Sequence, residues 1–360
     1  MAAHSAKTSH TPFTRFSLSG GLLSMSQVTL HDVAMASGVS AQTVSRVINQ
    51  RPDVSEATRA HVWKTIRRLG YKPNMLARAL VSQRSAVLGI ITLPLNDHFR
   101  VEIITGLEKE ARTLGYACQI SYTNNDASDL HELIYSMLGR QVDGIVMLTP
   151  RQFADPELSV DIPIVTLAHK LDNQRAINVD VDNVDGAYQA MRYLLALGHR
   201  AIGQIVGSRD WTPAADRLEG AKRALAEYHV ELSARYMVEC REWSFQDGYD
   251  AARDLLTASP EITALFCHTD WMAAGAYRAL RELKRRVPDD VSVVGYDDLP
   301  ICQFIDPPLT SVRQPSQGLG QLLAHLVITA VERTAPLRQD MLVPAELVVR
   351  GSASAPPVVR

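Results

Sequence analysis

The feature that most constrains the fold is a long alternation of apolar runs and amphipathic stretches that begins at Ala86. The apolar runs predict buried strands at 86–93, 117–123, 144–149, 162–168, 201–206, 264–268 and 291–296. Helical periodicity follows them at 101–114, 130–138, 184–197, 214–228, 247–257, 272–283 and 317–331. Parallel strands need helical crossovers, so this alternation predicts parallel sheets covered by helices. Two lobes with a cleft are more economical than one very large sheet, and ligands in such folds bind beyond the carboxyl ends of strands.

A separate helical region precedes this alternation. Leu30, Val33 and Ala34 follow an i, i+3, i+4 pattern, which predicts a short helix with one apolar face. Gly38 then permits a tight turn. Ser40 is suited to cap a second helix, because its side chain can accept a hydrogen bond from a backbone N–H two or three residues later.

The second helix has two chemically different faces. Its buried stripe consists of Val44, Val47 and Ile48. The opposite face carries polar side chains at helical spacing, namely Gln42, Ser45, Arg46 and Asn49. In the major groove Gln can pair bidentately with adenine and Arg with guanine, while Ser and Asn can serve bases or phosphates. A polar face taken alone is more often the solvated side of an amphipathic helix.

A third helix and a basic charge balance favour the nucleic-acid interpretation. The third helix follows Ser55 and ends at Gly70. Residues 1–84 contain 11 Lys or Arg and 3 Asp or Glu, whereas the rest of the chain contains 26 and 36. A basic segment joined to an acidic body is expected when only one end of a chain contacts a polyanion. The combination predicts a helix-turn-helix that binds DNA.

Other functional classes find less support. Four scattered cysteines without a C-x-x-C pair argue against a disulfide framework and a zinc site. No apolar run is long enough to span a bilayer, and the weak apolar stretch at 16–25 is too diluted by serine and glycine for a good signal peptide. A sugar-transport protein would need such a signal and no DNA-binding segment. An enzyme would need a catalytic or nucleotide-binding motif, and none is found, so we predict no catalytic residue, cofactor or metal ligand.

Several longer motifs resemble a known family. They are VTLHDVA at 28–34, GVS at 38–40, TVSRVIN at 43–49, YKPN at 71–74, VSVVGYDD at 291–298 and PPLTSV at 307–312. From residue 28 to about 352 the sequence resembles the LacI/GalR (lactose/galactose repressor) family of transcriptional regulators. The resemblance implies a small all-α helix-turn-helix headpiece plus an α/β two-lobed periplasmic-binding-protein-like effector domain.

The resemblance, together with the composition of the two ends, predicts how the chain is divided. We expect a disordered extension at 1–26, a helix-turn-helix DNA-binding domain at 27–73, a hinge helix or linker at 74–84, a two-lobed effector-binding and dimerisation domain at 85–352, and a disordered tail at 353–360. Both Met1 and Met25 stay open as the translation start. A regulator of this kind is expected in the cytoplasm, associated with the nucleoid and without a membrane partner.

The residues that the resemblance assigns to DNA lie in the headpiece and the hinge. They are Thr29, Ala41, Gln42, Thr43, Ser45, Arg46, Asn49, Asn74, Ala77 and Leu80. In the family, paired hinges enter the minor groove and a leucine wedges between base pairs, a role that falls on Leu80. Many members carry a larger side chain in place of Ala41. Tetrameric members end in a leucine heptad that this tail lacks, so a homodimer on a pseudo-palindromic operator is expected.

The resemblance assigns a second set of residues to a small-molecule effector. They are His98, Phe99, Arg217, Trp243, Thr269 and Asp297. The Asp297 carboxylate suits sugar hydroxyls, and the Arg217 fork suits a diol or a carboxylate. Trp243 either stacks on a sugar face or fills the core. The resemblance implies a sugar as the effector. Sugar-binding members, however, often have Asn-Asp where this chain has Thr269-Asp270, and threonine lacks the separate donor and acceptor of the amide, so another small molecule stays open as the alternative. Effector and operator are expected to alter each other's affinity.

Overall fold

The computed structural model describes residues 28–48, 51–72, 84–95, 97–123, 127–149, 160–171, 176–333 and 339–357. The chain divides into two compact units, Met1–Ala77 and Arg78–Arg360. Among the described residues no helix is long and apolar enough to cross a membrane, and no three His, Cys, Asp or Glu side chains are grouped so as to hold a metal ion. The four cysteines are free thiols.

Three helices form the described part of the first unit: α1 (Leu30–Ser37), α2 (Ala41–Ile48) and α3 (Glu56–Leu69). Their inward faces share one small core of Val33, Ala34, Val44, Val47, Val62 and Ile66. The predicted apolar stripes meet here, because i, i+3, i+4 spacing places side chains on one side of a helix. Each buried valine or isoleucine contributes about 1.5–3 kcal/mol through the water it releases.

Local sequence signals fix both ends of α1 and the start of α2. The Thr29 hydroxyl accepts from the N–H of Asp32, whose carboxylate accepts from the N–H of Thr29 at 2.8 Å, so α1 starts with a capping box. Gly38 ends α1 with φ at +66°, a left-handed conformation that favours glycine. The N–H of Thr43 donates to Ser40 Oγ at 3.0 Å, which caps α2 as the sequence predicts.

The second unit is built from alternating strands and helices. In chain order its strands are β1 (Val87–Thr92), β2 (Ala117–Tyr122), β3 (Gly144–Leu148), β4 (Ile164–Leu167), β5 (Ala176–Val181), β6 (Ile202–Val206), β7 (Met237–Glu239), β8 (Ala264–Cys267), β9 (Ser292–Asp297), β10 (Thr310–Arg313), β11 (Gln339–Val343) and β12 (Glu346–Val348). Its helices are α4 (His98–Thr113), α5 (Ala127–Gly139), α6 (Asn183–Ala196), α7 (Thr212–Glu227), α8 (Phe245–Ala258), α9 (Asp270–Glu282) and α10 (Ser316–Glu332).

The strands form two sheets, which define two lobes. The first lobe has the order β11-β5-β4-β3-β1-β2 and the second the order β12-β10-β9-β8-β6-β7. Neighbouring strands run parallel except β10 and β12, which are antiparallel. Because β5, β10 and β11 are each followed by an element of the other lobe, the chain passes between the lobes near residues 182, 315 and 345. Side chains at these passages therefore lie beside the cleft.

Glycines bring helices of each lobe close together. A β-carbon on Gly220 of α7 would lie 2.0 Å from the carbonyl oxygen of Val184 in α6. A β-carbon on Gly320 of α10 would lie 1.9 Å from the carbonyl oxygen of Ile103 in α4. Real β-carbons do not approach backbone so closely, so only glycine permits these helix crossings.

The end of the described chain is fastened to the second lobe. Ser352 Oγ donates to the carbonyl of Val293 at 2.6 Å. The N–H of Ser354 donates to Ser292 Oγ at 3.0 Å, and its carbonyl lies 2.8 Å from Nε2 of the buried His199. The segment that its composition predicts to be disordered from residue 353 is thus hydrogen-bonded at Ser354, because its backbone completes a polar network inside the lobe. Residues 358–360 lie outside the described residues.

Candidate functional site

The face of α2 that the sequence assigns to DNA is open to solvent at two positions. Gln42 and Arg46 are exposed, whereas Ala41, Thr43 and Ser45 are half-buried. Nη1 of Arg46 lies 3.0 Å from a carboxylate oxygen of Asp53. The face can therefore present an amide and a guanidinium to base edges, with one acid beside the guanidinium.

Of the other predicted DNA-contacting residues, one caps a helix in this structure and four lie outside the described residues. Thr29 is exposed, and its hydroxyl donates to a carboxylate oxygen of Asp32 at 2.7 Å, so in this structure it starts α1. Asn49, Asn74, Ala77 and Leu80 lie outside the described residues. Their contacts with DNA, including the leucine wedge, stay predictions.

A cavity of about 660 Å³ lies between the two lobes, at the carboxyl ends of their strands. Thr123 and Leu148 line it from the first lobe, and Thr269 and Asp297 line it from the second. Ligands of parallel α/β folds bind at this edge of the sheet. The volume falls within the roughly 300–1,000 Å³ that is usual for small-molecule sites.

Most of the predicted effector residues come together in this cavity. Phe99, Arg217, Trp243, Thr269 and Asp297 line it. His98 is not among the lining residues: it is the first residue of α4, and its Nε2 lies 3.6 Å from an oxygen of Glu102 one turn later. At that distance the two side chains are close but form no hydrogen bond, and of the neighbours His98 and Phe99 only Phe99 lines the cavity.

Arg217 is tightly held in the cavity wall. Only 3% of it is exposed. Its Nε donates to Asn183 Oδ1 at 2.9 Å, its Nη1 donates to the carbonyl of His268, and its Nη2 lies 3.5 Å from Asp297 Oδ1. The guanidinium carbon also lies 3.7 Å from the ring centroid of Tyr296, a cation–π contact. Arg217 is thus oriented in advance instead of presenting a free fork.

Asp297 ends β9 and contributes a carboxylate to the cavity. Its φ of +110° departs from the strand conformation. Nε2 of Gln314 donates to one carboxylate oxygen at 2.6 Å. Burial raises the pKa of Asp297 well above its ordinary value, and the adjacent Arg217 only partly opposes this shift. Gln314 also lines the cavity. No feature of the sequence predicts this position, because Gln314 reaches the cleft only where the chain passes between the lobes.

Aromatic and cationic side chains stack across the cleft. The rings of Trp211 and Trp243 lie 5.5 Å apart at 22°. The Arg217 guanidinium lies 4.9 Å from the Trp243 ring, and that of Arg100, from the first lobe, lies 5.9 Å from Trp211. In the described part of the chain the buried indole N–H of Trp243 has no hydrogen-bond partner. Trp243 is therefore placed to stack against a ligand, whereas sequence reasoning missed Trp211 and Arg100.

Asp180 is a further cavity residue that sequence reasoning missed. It lies near the end of β5, and its carboxylate accepts from the N–H of Val181 at 2.7 Å. Burial raises its pKa to about 7, and the negative charge of Asp216 adds to the shift. The only signal available in the sequence is an acid at the end of a strand, and the strand itself was not predicted.

Thr269 and Asp270 are neighbours with different roles: Thr269 lines the ligand cavity, and Asp270 stabilises the fold. Thr269 lines the cavity, and its hydroxyl accepts from the N–H of Met272 at 3.2 Å, which caps α9. Asp270 is fully buried and accepts from the N–H of Leu299 at 2.7 Å and from the Ser311 hydroxyl at 2.6 Å. Burial raises the pKa of Asp270 to about 7. Asp270 therefore fixes the turn after β9.

Comparison with known proteins decides the family. A model described as "Bacterial regulatory proteins, lacI family" matches residues 29–74, and one described as "Periplasmic binding protein-like domain" matches residues 191–353. The ribose operon repressor of Haemophilus influenzae is 31% identical over 326 residues, which cover 90% of this chain and 98% of that protein. This chain belongs to the LacI family. The predicted family and fold class are thereby confirmed.

Other LacI-family proteins align along almost the same length. The HTH-type transcriptional regulator CelR of Thermobifida fusca is 34% identical over 336 residues, covering 90% of this chain and 98% of CelR. A solved complex of CelR with cellobiose has a TM-score of 0.68 at 32% identity, covering 91% of this chain and all of that one. The Lac repressor dimer bound to operator and the anti-inducer ONPF has a TM-score of 0.78 at 29% identity, with the same coverage.

Proposed function

We propose that this LacI-family chain is a sequence-specific transcriptional repressor whose operator affinity is controlled by a small molecule in the cleft. One observation carries the proposal: a single chain joins a helix-turn-helix with exposed Gln42 and Arg46 to a two-lobed unit with a cavity of about 660 Å³. The named relatives are transcriptional regulators, which supports a binding role over a catalytic one.

On the DNA side, α2 supplies the base contacts in this proposal. Gln42 and Arg46 would each form a bidentate pair, with adenine and guanine respectively, and one such pair gives about 1–3 kcal/mol of discrimination against a wrong base. Thr43 and Ser45 would contact phosphates or neighbouring bases. The Lac repressor structure is a dimer on its operator, which supports a homodimer of this chain on a pseudo-palindromic site.

On the effector side, a sugar fits the cavity best. A sugar needs acceptors, donors and an apolar face in one place. The carboxylate of Asp297 can accept, the guanidinium of Arg100 can donate, and Phe99 and Trp243 offer rings for stacking. The names of a ribose operon repressor and a CelR–cellobiose complex among the relatives support the same ligand class.

The charges of the cavity favour an uncharged sugar over a phosphorylated or acidic one. Its two arginines already face carboxylates: Arg217 lies against Asp297 and Arg100 against Asp97, at 3.5 and 3.0 Å. Asp180 and Glu242 add further acids to the lining. An anionic effector would therefore find no arginine among the lining residues that is not already next to a carboxylate.

Regulation follows from the two lobes sharing one ligand. Phe99 of the first lobe and Arg217 of the second line the same cavity, so a bound sugar would favour one closure of the cleft. If that closure also changes how the paired headpieces meet DNA, effector and operator must change each other's affinity by the same factor. The expected size is about 5- to 150-fold, the usual range of such coupling.

The test measures operator affinity with and without sugars. A duplex selected from a random library by the full-length protein is titrated by fluorescence anisotropy in ribose, glucose, cellobiose or glucose 6-phosphate. At least one neutral sugar should change the affinity, more than glucose 6-phosphate does, and Arg217→Lys should remove the response. Arg223→Lys is the matched control, because Arg223 lies on the same helix but is exposed and pairs with Glu219. Absence of any preferred duplex, or a sugar that binds without changing operator affinity, would count against the proposal.

A further inference from the structure

Asp53 is an acid on the side of the headpiece that faces DNA in the proposed function. The described part of the first unit contains three acids, and two of them serve the starts of helices: Asp32 in the capping box of α1 and Glu56 in the first turn of α3. Asp53 instead reaches the outward face of α2, where its carboxylate lies 3.0 Å from Nη1 of Arg46. Both side chains are half exposed.

The loop that carries Asp53 is fastened to the end of α2. The N–H of Arg51 donates to the carbonyl of Arg46 at 3.0 Å, and Arg59 of α3 donates to the carbonyl of Arg51 at 2.8 Å. Val54, the next residue after Asp53, packs against the headpiece core. The loop is therefore held on both sides of Asp53 by contacts that do not involve its carboxylate, so the loop does not depend on the ion pair for its position.

Electrostatics alone would disfavour an acid at this position. Most of the affinity of a protein for DNA of any sequence comes from cations near phosphates, and a carboxylate on the same face subtracts from it. A guanidinium, however, has five donors in a planar fork, so one edge can pair with a carboxylate while the other remains free for the O6 and N7 of guanine. Pairing with Asp53 restricts the Arg46 side chain to fewer conformations than a free arginine has. Arg46 is therefore already oriented when it meets a base.

We infer that Asp53 is a specificity-determining residue, which orients Arg46 toward guanine at the expense of affinity for DNA in general. The inference rests on the proposed function, in which α2 reads the major groove. An orienting role for Asp53 changes affinity and discrimination in opposite directions, whereas simple repulsion or a neutral surface contact does not. Removing the carboxylate should raise affinity for unrelated DNA and at the same time lower discrimination at the guanine that Arg46 contacts.

The experiment uses the full chain and two duplexes. One is the preferred duplex selected from a random library, and the other differs at the single G·C pair whose recognition Arg46→Ala abolishes. Affinities are measured by anisotropy over a series of salt concentrations for the wild type, Asp53→Asn, Asp53→Glu and Glu56→Gln. Glu56→Gln is the matched control, because it removes the same charge three residues away, from an acid that pairs with Arg59 at 3.6 Å.

In Asp53→Asn the ratio of the two affinities should fall by roughly two- to five-fold, the range that one exposed ion pair supports. Its affinity for the altered duplex should rise, and the slope of log affinity against log salt should steepen by up to about one. Asp53→Glu should keep much of the discrimination, and Glu56→Gln should keep all of it. An unchanged ratio in Asp53→Asn, or equal gains on both duplexes, overturns the inference. A wild type that prefers no duplex would instead overturn the proposed function.

Discussion

Replacing Arg217 with Met should make the stability of the second lobe depend steeply on pH. Arg217 and Asp297 are 3% and 9% exposed, and their charged groups lie 3.5 Å apart. Without the guanidinium, the Asp297 carboxyl keeps its buried position and the hydrogen bond from Gln314 but loses the nearby positive charge. Its pKa, which burial already raises, should rise further, because the charge of Arg217 is the largest influence that opposes the effect of burial.

The sign follows from proton linkage. A carboxyl whose pKa is higher in the folded than in the unfolded state binds more protons when folded, so its contribution to stability is present at low pH and is lost as pH rises through the folded pKa. One such group lowers the free energy of unfolding by at most about 1.4 kcal/mol per pH unit. Between pH 5 and 8 the free energy of unfolding of the Arg217→Met variant should therefore fall by up to about 4 kcal/mol more than that of a variant that also lacks the Asp297 carboxyl.

Urea denaturation at pH 5, 6, 7 and 8 measures the effect. The comparison is between Arg217→Met and the double variant Arg217→Met/Asp297→Asn, in which the titrating group is absent and the polar shape is retained. Other buried acids, such as Asp180, are present in both proteins, so their contributions cancel in the difference. Equal pH dependence of the two proteins would refute the reasoning, because it would mean that Asp297 does not titrate in the folded cleft.

Two further predictions concern the cleft and the helix packing. Burial raises the pKa of Asp180 from 3.8 to about 7, so the melting temperature of Asp180→Asn relative to the wild type should rise steadily from pH 4 to about pH 7 and then level off, and a difference that does not change with pH would contradict the prediction. Gly220→Ala places a β-carbon 2.0 Å from the carbonyl of Val184 and should cost about 1–3 kcal/mol in urea denaturation. Gly139→Ala, whose β-carbon would meet nothing within 4 Å, is the control and should be close to neutral.

The architecture was predictable where a periodic pattern continued without interruption. β3 is apolar throughout and β1 is apolar up to its last residue, Thr92, because a strand covered by helices on both sides leaves little room for polar groups. β5 was missed, since Asn178 and Asp180 interrupt its apolar residues and serve the first-lobe polar network and the cavity instead. β10 was missed for a similar reason: Thr310 and Ser311 are fully buried, and their hydroxyls hydrogen-bond to the N–H of Arg350 and the carboxylate of Asp270.

The cavity could be predicted only in part, because its members come from distant stretches of the chain. Asp297 stands in the 291–298 motif and Arg217 is assigned by the same family resemblance, and both line the cavity. Arg100, Trp211 and Gln314 stand in no such motif and reach the cleft only through the packing of two lobes. Their roles depend on tertiary geometry, which neither periodicity nor local composition encodes.

The end of β9 combines ligand binding and fold stability in two adjacent acids. Asp297 faces the cavity, while Asp298 pairs with Arg313 at 2.7 Å and with Arg350 at 2.6 Å. Their φ angles are +110° and +54°, and left-handed backbone costs about 1–3 kcal/mol for each non-glycine residue. The two ion pairs of Asp298 help to offset that cost and hold the turn in which Asp297 can face a ligand. Substitutions of Asp297 should therefore act mainly on the effector, whereas substitutions of Asp298 should act first on the stability of the lobe.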